Sequence, residues 1–145
     1  ERGACPRSRK MLNRYIEEEI IPVCEQHGVG QVVFSPLAQG VLSGKYKKGA
    51  EIPRDSRAAE KNAPTWIERF LNDEALDRVA ALNAIAQQEG LTMSQLALAW
   101  ILRQRNVSSA IIGASRPEQV EENVKASGVT LSSETLQQIE DVLKQ

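Results

Sequence analysis

The sequence predicts a parallel α/β fold, and three observations carry that expectation. Two short apolar runs rich in β-branched residues, 29–34 and 108–112, are each closed by turn residues. Between and after them lie segments with apolar residues at helical spacing, opened by capping residues and ended by glycine. The resulting order of strand, helix, strand, helix is that of parallel sheets, whose ligand sites gather at the carboxyl ends of the strands.

Residues 1–11 open the chain with Glu1, Arg2, Arg7, Arg9 and Lys10 set among Gly3, Cys5 and Pro6, without helical or strand periodicity. They are expected to be an irregular tail. From Asn13 or Tyr15 a helix is expected, with Glu17 to Glu19 at the positive end of its dipole and Ile16, Ile20, Ile21, Val23 and Cys24 on its apolar face. Pro22 must kink or restart that helix, because its ring clashes with the preceding turn. Gly28 ends it. His27, the single histidine, stands at that end, where it reads as a helix cap rather than a catalytic group.

The run Val29 to Phe34 is stopped by Ser35-Pro36, since proline has no N–H for a sheet ladder and holds its predecessor extended. Gly40, Gly44 and Gly49 follow, with Lys45 among them. Spaced glycines let backbone N–H groups approach an anion, and lysine adds charge. This pattern fits a phosphate loop, and it equally fits an ordinary strand exit with a solvated lysine. Residues 47–64 form a polar connection long enough to be a functional loop. Its basic residues Lys47, Lys48, Arg54, Arg57 and Lys61 are placed to clamp a phosphate; each except Arg57 reads more simply as a solvated charge.

Trp66, Ile67, Phe70 and Leu71 make a short apolar face, and both Trp66 and Trp100 are expected in the core. Asn72 or Asp73 then caps a helix to Gln88, with Leu76, Val79, Ala80, Leu82, Ala84, Ile85 and Ala86 at helical spacing and Gly90 beyond its end. Thr92 and Gln95 form a capping-box pair before a segment, 96–102, that is apolar nearly all round and therefore deeply buried. After the second strand, Gly113-Ala114-Ser115-Arg116 leads into a helix with Pro117 in its first turn and Val120 and Val124 on its expected buried face. A helix start with a hydroxyl and a guanidinium beside it is a second anion candidate. Ser132 or Ser133 caps a last helix carrying Leu136, Ile139, Val142 and Leu143.

Composition removes several function classes. A length of 145 residues suits one domain or part of a larger one. A net charge of −1 with 4% aromatic residues offers neither a basic field nor stacking platforms, so no nucleic-acid partner is expected. Cys5 and Cys24 lack CxxC or Cys/His spacing, so neither a disulfide framework nor a metal site is expected. With no long apolar run and no leader pattern, the chain is expected to be soluble, cytoplasmic and without a membrane partner.

The wording of the two loops is more specific than their chemistry. Phe34-Ser35-Pro36-Leu37-Ala38-Gln39-Gly40 with Leu42-Ser43-Gly44-Lys45-Tyr46, and Ile111-Ile112-Gly113-Ala114-Ser115 with Pro117-Glu118-Gln119-Val120-Glu121-Glu122-Asn123, closely resemble the aldo-keto reductase superfamily. The nearest branch resembles potassium-channel β-subunits and related bacterial reductases. The resemblance covers residues 12–145 and implies the carboxyl-terminal part of a (β/α)8 TIM barrel: about the last two strands, the seventh and eighth, with their helices. A whole barrel takes eight such units and typically about 250 residues.

The resemblance further implies a role for each loop residue. Phe34 matches the aromatic on the nicotinamide ring; Ser35, Pro36, Leu37, Gln39, Gly40 and Lys45 match the segment over the pyrophosphate; Arg57 matches a phosphate-binding loop arginine. Gly113 and Ser115 match the turn for the adenosine phosphate, which implies NADP(H), and Gln119, Glu122 and Asn123 match the adenine positions. The implied activity is NADPH-dependent reduction of aldehydes and ketones to alcohols. The family's aspartate, tyrosine, lysine and histidine tetrad has no counterpart here, so no catalytic residue is assigned and the chain alone is expected to be inactive. A small carbonyl substrate is then expected only in the full-length enzyme. Residues 4–10 also depart from the family's glutamine-containing strand. The alternative is a non-catalytic nucleotide-binding module, or one that self-associates through exposed barrel edges.

Overall fold

The computed structural model describes residues 5–8, 11–60 and 65–144. Within them three parallel strands lie side by side in chain order: β1 (Cys5–Ser8), β2 (Gln31–Phe34) and β3 (Val107–Ile111). Arg7 pairs with Val33, and Val33 with Ala110 on its other side. Phe34 pairs with Ser8 and Ile111, which aligns the carboxyl ends of the strands.

The first strand corrects two expectations. Residues 1–11 are not irregular throughout, and the described chain holds three strands rather than two. An edge strand is held by backbone pairing on one side, so it needs no apolar alternation, and Pro6 is tolerated where its missing N–H leaves no central ladder bond unmade. Residues 1–4, 9 and 10 of that opening segment, the side chain of Trp66, and Lys61 all lie outside the described residues.

Helix α1 (Ile20–Gln26) is a restarted helix. A 3₁₀ turn, Tyr15–Glu17, precedes it, and Pro22 falls in the first turn of α1, where its absent N–H has no intrahelical partner to lose. His27 is the C-cap, and Gly28 follows at φ 62°. Gly28 N donates to Glu25 O, and Val29 N to Cys24 O, which completes a Schellman closure and turns the chain into β2. Val23, expected on the buried face, is instead 54% exposed, because the restart at Pro22 puts Ile21 on the inner side and Val23 away from it.

After a short α2 (Thr65–Glu68), Asn72 caps α3 (Asp73–Gln88) by accepting from Ala75 N at 2.9 Å. Helix α4 (Met93–Leu102) carries the expected capping box, and every residue from Met93 to Ile101 is buried. Helices α5 (Pro117–Val124) and α6 (Ser133–Lys144) complete the set. The core lies between α3, α4, α6 and one face of the sheet, with Val33, Val107, Leu82, Leu96, Trp100, Ile101 and Ile139 inside it. Fully burying each large apolar side chain contributes about 1.5–3 kcal/mol. The opposite sheet face is open: Phe34 and Ile111, paired across β2 and β3, are 45% and 54% exposed.

Helix α5 reverses one expectation. Val120 and Val124 are 50% and 64% exposed, while Asn123 is buried. The reason is the way α5 meets α4: Gln95 Nε2 donates to Glu122 O at 2.9 Å, and Thr92 Oγ1 donates to Glu122 Oε1 at 2.8 Å. These bonds fix which side faces inward. Thr92→Ala removes the cap and one of the two bonds to α5. We expect a loss of about 1–2 kcal/mol, read as a lowered denaturant midpoint at unchanged slope.

The chain's two ends of the described fold are tied through Trp100. Arg14 donates to Glu17 and, at 2.5 Å, to Glu140 on α6; the Arg14 and Arg103 guanidiniums lie 5.2 and 4.0 Å from the Trp100 ring centroid. Burial disfavours the Arg14 charge, but the bonds to both glutamates outweigh it and raise its pKa above the ordinary value.

Candidate functional site

Both candidate loops leave the same end of the sheet, as parallel pairing of β2 with β3 requires. The β2 exit is a strained turn. Ser35, Ala38 and Gln39 have φ of 56°, 47° and 61°, a region that costs a non-glycine residue about 1–2 kcal/mol. Gly40 continues it at φ 93°. The conformation is held from both sides: Ala38 and Val41 are fully buried, and Ser43 Oγ donates to Gly40 O at 2.7 Å. Strain retained in this way is a mark of functional loops.

Glycine at position 40 is favoured by its φ of 93°. A Cβ there would stand 3.1 Å from Lys45 Cε and 3.5 Å from Nζ, so the lysine lies along the open side of the turn. Its ammonium is also 5.6 Å from the Tyr46 ring centroid.

The connection after Lys47 folds back across both loops. Arg57, in a 3₁₀ turn (Arg57–Ala59), donates through Nη1 to Gln39 Oε1 on the β2 loop. Its Nη2 lies 4.0 Å from where a Cβ on Gly113 would be, at the β3 exit. A second link joins the same segments, since Arg116 Nη1 is 3.9 Å from Asp55 Oδ2. One guanidinium is therefore placed between the two anion candidates.

On the β3 side, Ser115 N donates to Gln119 Oε1 at 2.8 Å, and Ser115 Oγ to the same oxygen at 3.3 Å. Gln119 thus holds the Gly113–Ser115 turn against the start of α5. Glu122 is half-buried with its carboxylate on Thr92, and Asn123 is buried, 8% exposed. Phe34 projects from the open face beside Ser35. Pro36 and Leu37 lie beneath the strained turn, buried and half-buried.

The structure thus brings together Ser35, Gln39, Gly40, Lys45 and Arg57, with Gly113 alongside. Gln119, Glu122 and Asn123 stay on α5, engaged with their own neighbours. Sequence reasoning did not find the Asp55–Arg116 pair, the positive φ angles or the Gln39–Arg57 bond. Partners 18 residues apart in an irregular connection leave no periodic signal. Among the described residues, no group of His, Cys, Asp and Glu is placed to hold a metal ion.

A glycine turn, a lysine along it, and an arginine bonded to the β2 loop and near the β3 loop form a donor set of the kind that suits a phosphate.

The model of the Aldo/keto reductase family matches residues 8–144. A probable voltage-gated potassium channel subunit beta of Arabidopsis thaliana is 43% identical over 141 residues, covering 96% of this chain and 43% of that protein. An L-glyceraldehyde 3-phosphate reductase of Escherichia coli O157:H7 is 42% identical over 137 residues, covering 92% of this chain and 39% of that protein. A solved glycerol dehydrogenase of Gluconobacter oxydans superposes with a TM-score of 0.75 at 23% identity, over 95% of this chain and 41% of that one. The chain spans about two fifths of the length of these relatives.

Proposed function

The chain belongs to the aldo/keto reductase family, and from that premise we propose that residues 12–145 are the carboxyl-terminal, cofactor-binding part of an NADPH-dependent reductase of aldehydes and ketones. The three-strand unit with its open face is then part of a (β/α)8 barrel, the β2 and β3 strands standing for its seventh and eighth strands. The observation that carries this reading is Arg57 placed between the β2 and β3 loops. A pyrophosphate bridging two loops needs a donor that both loops share, and a guanidinium has the fork of N–H groups to serve both.

In this reading Ser35, Gly40, Lys45 and Arg57 hold the pyrophosphate, and Phe34 lies against the nicotinamide. Pro36, Leu37 and Gln39 keep the turn in shape. Gly113 and Ser115 receive the adenosine phosphate, with Arg116 supplying charge that favours NADPH over NADH, and Gln119, Glu122 and Asn123 line the adenine end. When bound, the reduced nicotinamide supplies hydride to a carbonyl carbon. No residue here matches the family's proton-donating tyrosine, so this chain by itself binds and orients the cofactor without turnover. A carbonyl substrate belongs to the full-length protein, and its identity would be set by other loops. A cytoplasmic setting fits the reading; among the described residues no helix is long and apolar enough to cross a membrane.

The test is a titration of the chain with NADPH, followed by cofactor fluorescence, and a parallel assay with a reactive aldehyde, followed by loss of cofactor absorbance. Saturable binding without turnover is the expected result. Turnover above background would show that the family's missing tetrad is not essential, and no binding would remove the cofactor role. A second reading is favoured by the open sheet face: Phe34 and Ile111 lie exposed on a parallel sheet, a type normally covered on both faces. That reading is a non-catalytic module that self-associates through its open face and strand edges, and a monomeric mass by light scattering would count against it.

A further inference from the structure

The side-chain amide of Gln39 is bonded at both of its polar atoms. Its Oε1 accepts from Arg57 Nη1, and its Nε2 donates to Ser35 Oγ at 2.6 Å. The direction of this chain is fixed by chemistry, because a guanidinium has only donors and must face the amide oxygen. The amide nitrogen is thereby turned towards Ser35, whose hydroxyl oxygen must accept. The hydroxyl proton of Ser35 is left free to be given to another acceptor.

We infer that Gln39 is a positioning residue that sets hydrogen-bond polarity at the anion site, rather than a ligand of the dinucleotide itself. It anchors Arg57 to the β2 loop, with Nη2 near Gly113 of the β3 loop, and through the same amide makes Ser35 a donor towards a ligand oxygen. This rests on the dinucleotide reading of the site, and it adds a role to a residue that otherwise counts as one more contact. The left-handed backbone of Gln39, φ 61°, is the cost of pointing that amide back at Ser35 four positions earlier.

A carboxylate at this position separates the two effects. Gln39→Glu still holds Arg57, now as an ion pair, but it offers acceptors on both sides, so the Ser35 proton turns inward and its donor is lost. In the wild-type background, Ser35→Ala is expected to weaken NADPH binding about tenfold, the loss of one hydrogen bond to a charged group. In the Gln39→Glu background the same Ser35→Ala change is expected to weaken binding less than about twofold, because the donor has already gone. An equal cost of Ser35→Ala in both backgrounds would overturn the relay.

The free chain gives a readout that does not depend on the cofactor. Gln39→Met keeps the side-chain length and removes both bonds, so tryptic cleavage after Arg57 should rise about threefold or more relative to cleavage after Arg54. Gln39→Glu should restore protection. An unchanged ratio of the two cuts in Gln39→Met overturns the relay even where NADPH binds. If the wild-type chain binds no NADPH while Gln39→Met alters the ratio, the Gln39–Arg57 anchor stands, and the dinucleotide reading and the Ser35 donor role that rests on it are overturned.

Discussion

Trp100→Ala is expected to lower the unfolding free energy by about 3–5 kcal/mol, the range for deleting a large buried aromatic. The indole is fully buried on α4, a helix whose every residue from Met93 to Ile101 is inside the fold. Two losses add at this site. The cavity would open in the middle of the contact between α4 and its neighbours, and Arg14 and Arg103 would lose the ring over which both guanidiniums lie. Domains of this size are stable by about 5–15 kcal/mol in total, so the variant should melt well below the wild type or fail to fold at room temperature. Trp100→Phe, which keeps an aromatic face for the two arginines, should cost clearly less. Equal midpoints for Trp100→Ala and the wild type in a denaturant titration would show that the helix layer does not depend on this residue.

Arg57→Ala is expected to weaken NADPH binding by about tenfold to a hundredfold, corresponding to about 1.5–3 kcal/mol for a hydrogen bond to a charged group. The side chain is exposed, so the substitution should leave the melting temperature close to that of the wild type. That separation matters. A fall in affinity without a fall in stability assigns Arg57 to the ligand, whereas loss of both would mean that the connection collapses without its anchor. Arg57→Lys should recover only part of the affinity, since an ammonium cannot serve Gln39 and a phosphate with a planar fork. Unchanged affinity in Arg57→Ala would remove the shared-donor argument on which the site is built.

Much of the local structure was legible in the residues. Thr92 and Gln95 announced a capping box; Asn72 or Asp73 a cap, which proved to be Asn72; Gly28 and Gly90 helix ends; Ser35-Pro36 the end of a strand. Each of these signals acts within four or five positions along the chain, where sterics and hydrogen-bond geometry leave few solutions. The two candidate anion loops were legible for the same reason, as glycines and charges that follow a strand. Cys5–Ser8 was not, because a strand stabilised by its neighbour's backbone carries no periodic pattern of its own.

The sequence by itself determined the order of the helices and of the second and third strands, many of the places where they stop, and, through the wording of two loops, the family to which the chain belongs. Only the tertiary structure decided which sides face inward and which distant residues meet. It turned Val120 and Val124 outward by tying Glu122 to the α4 cap. It also set Arg57 between Gln39 and Gly113, joining loops that the sequence shows only as separate candidates. The physical reason is range: caps and turns are settled by near neighbours, whereas burial and shared donors depend on residues brought close only after the helices have packed on the sheet.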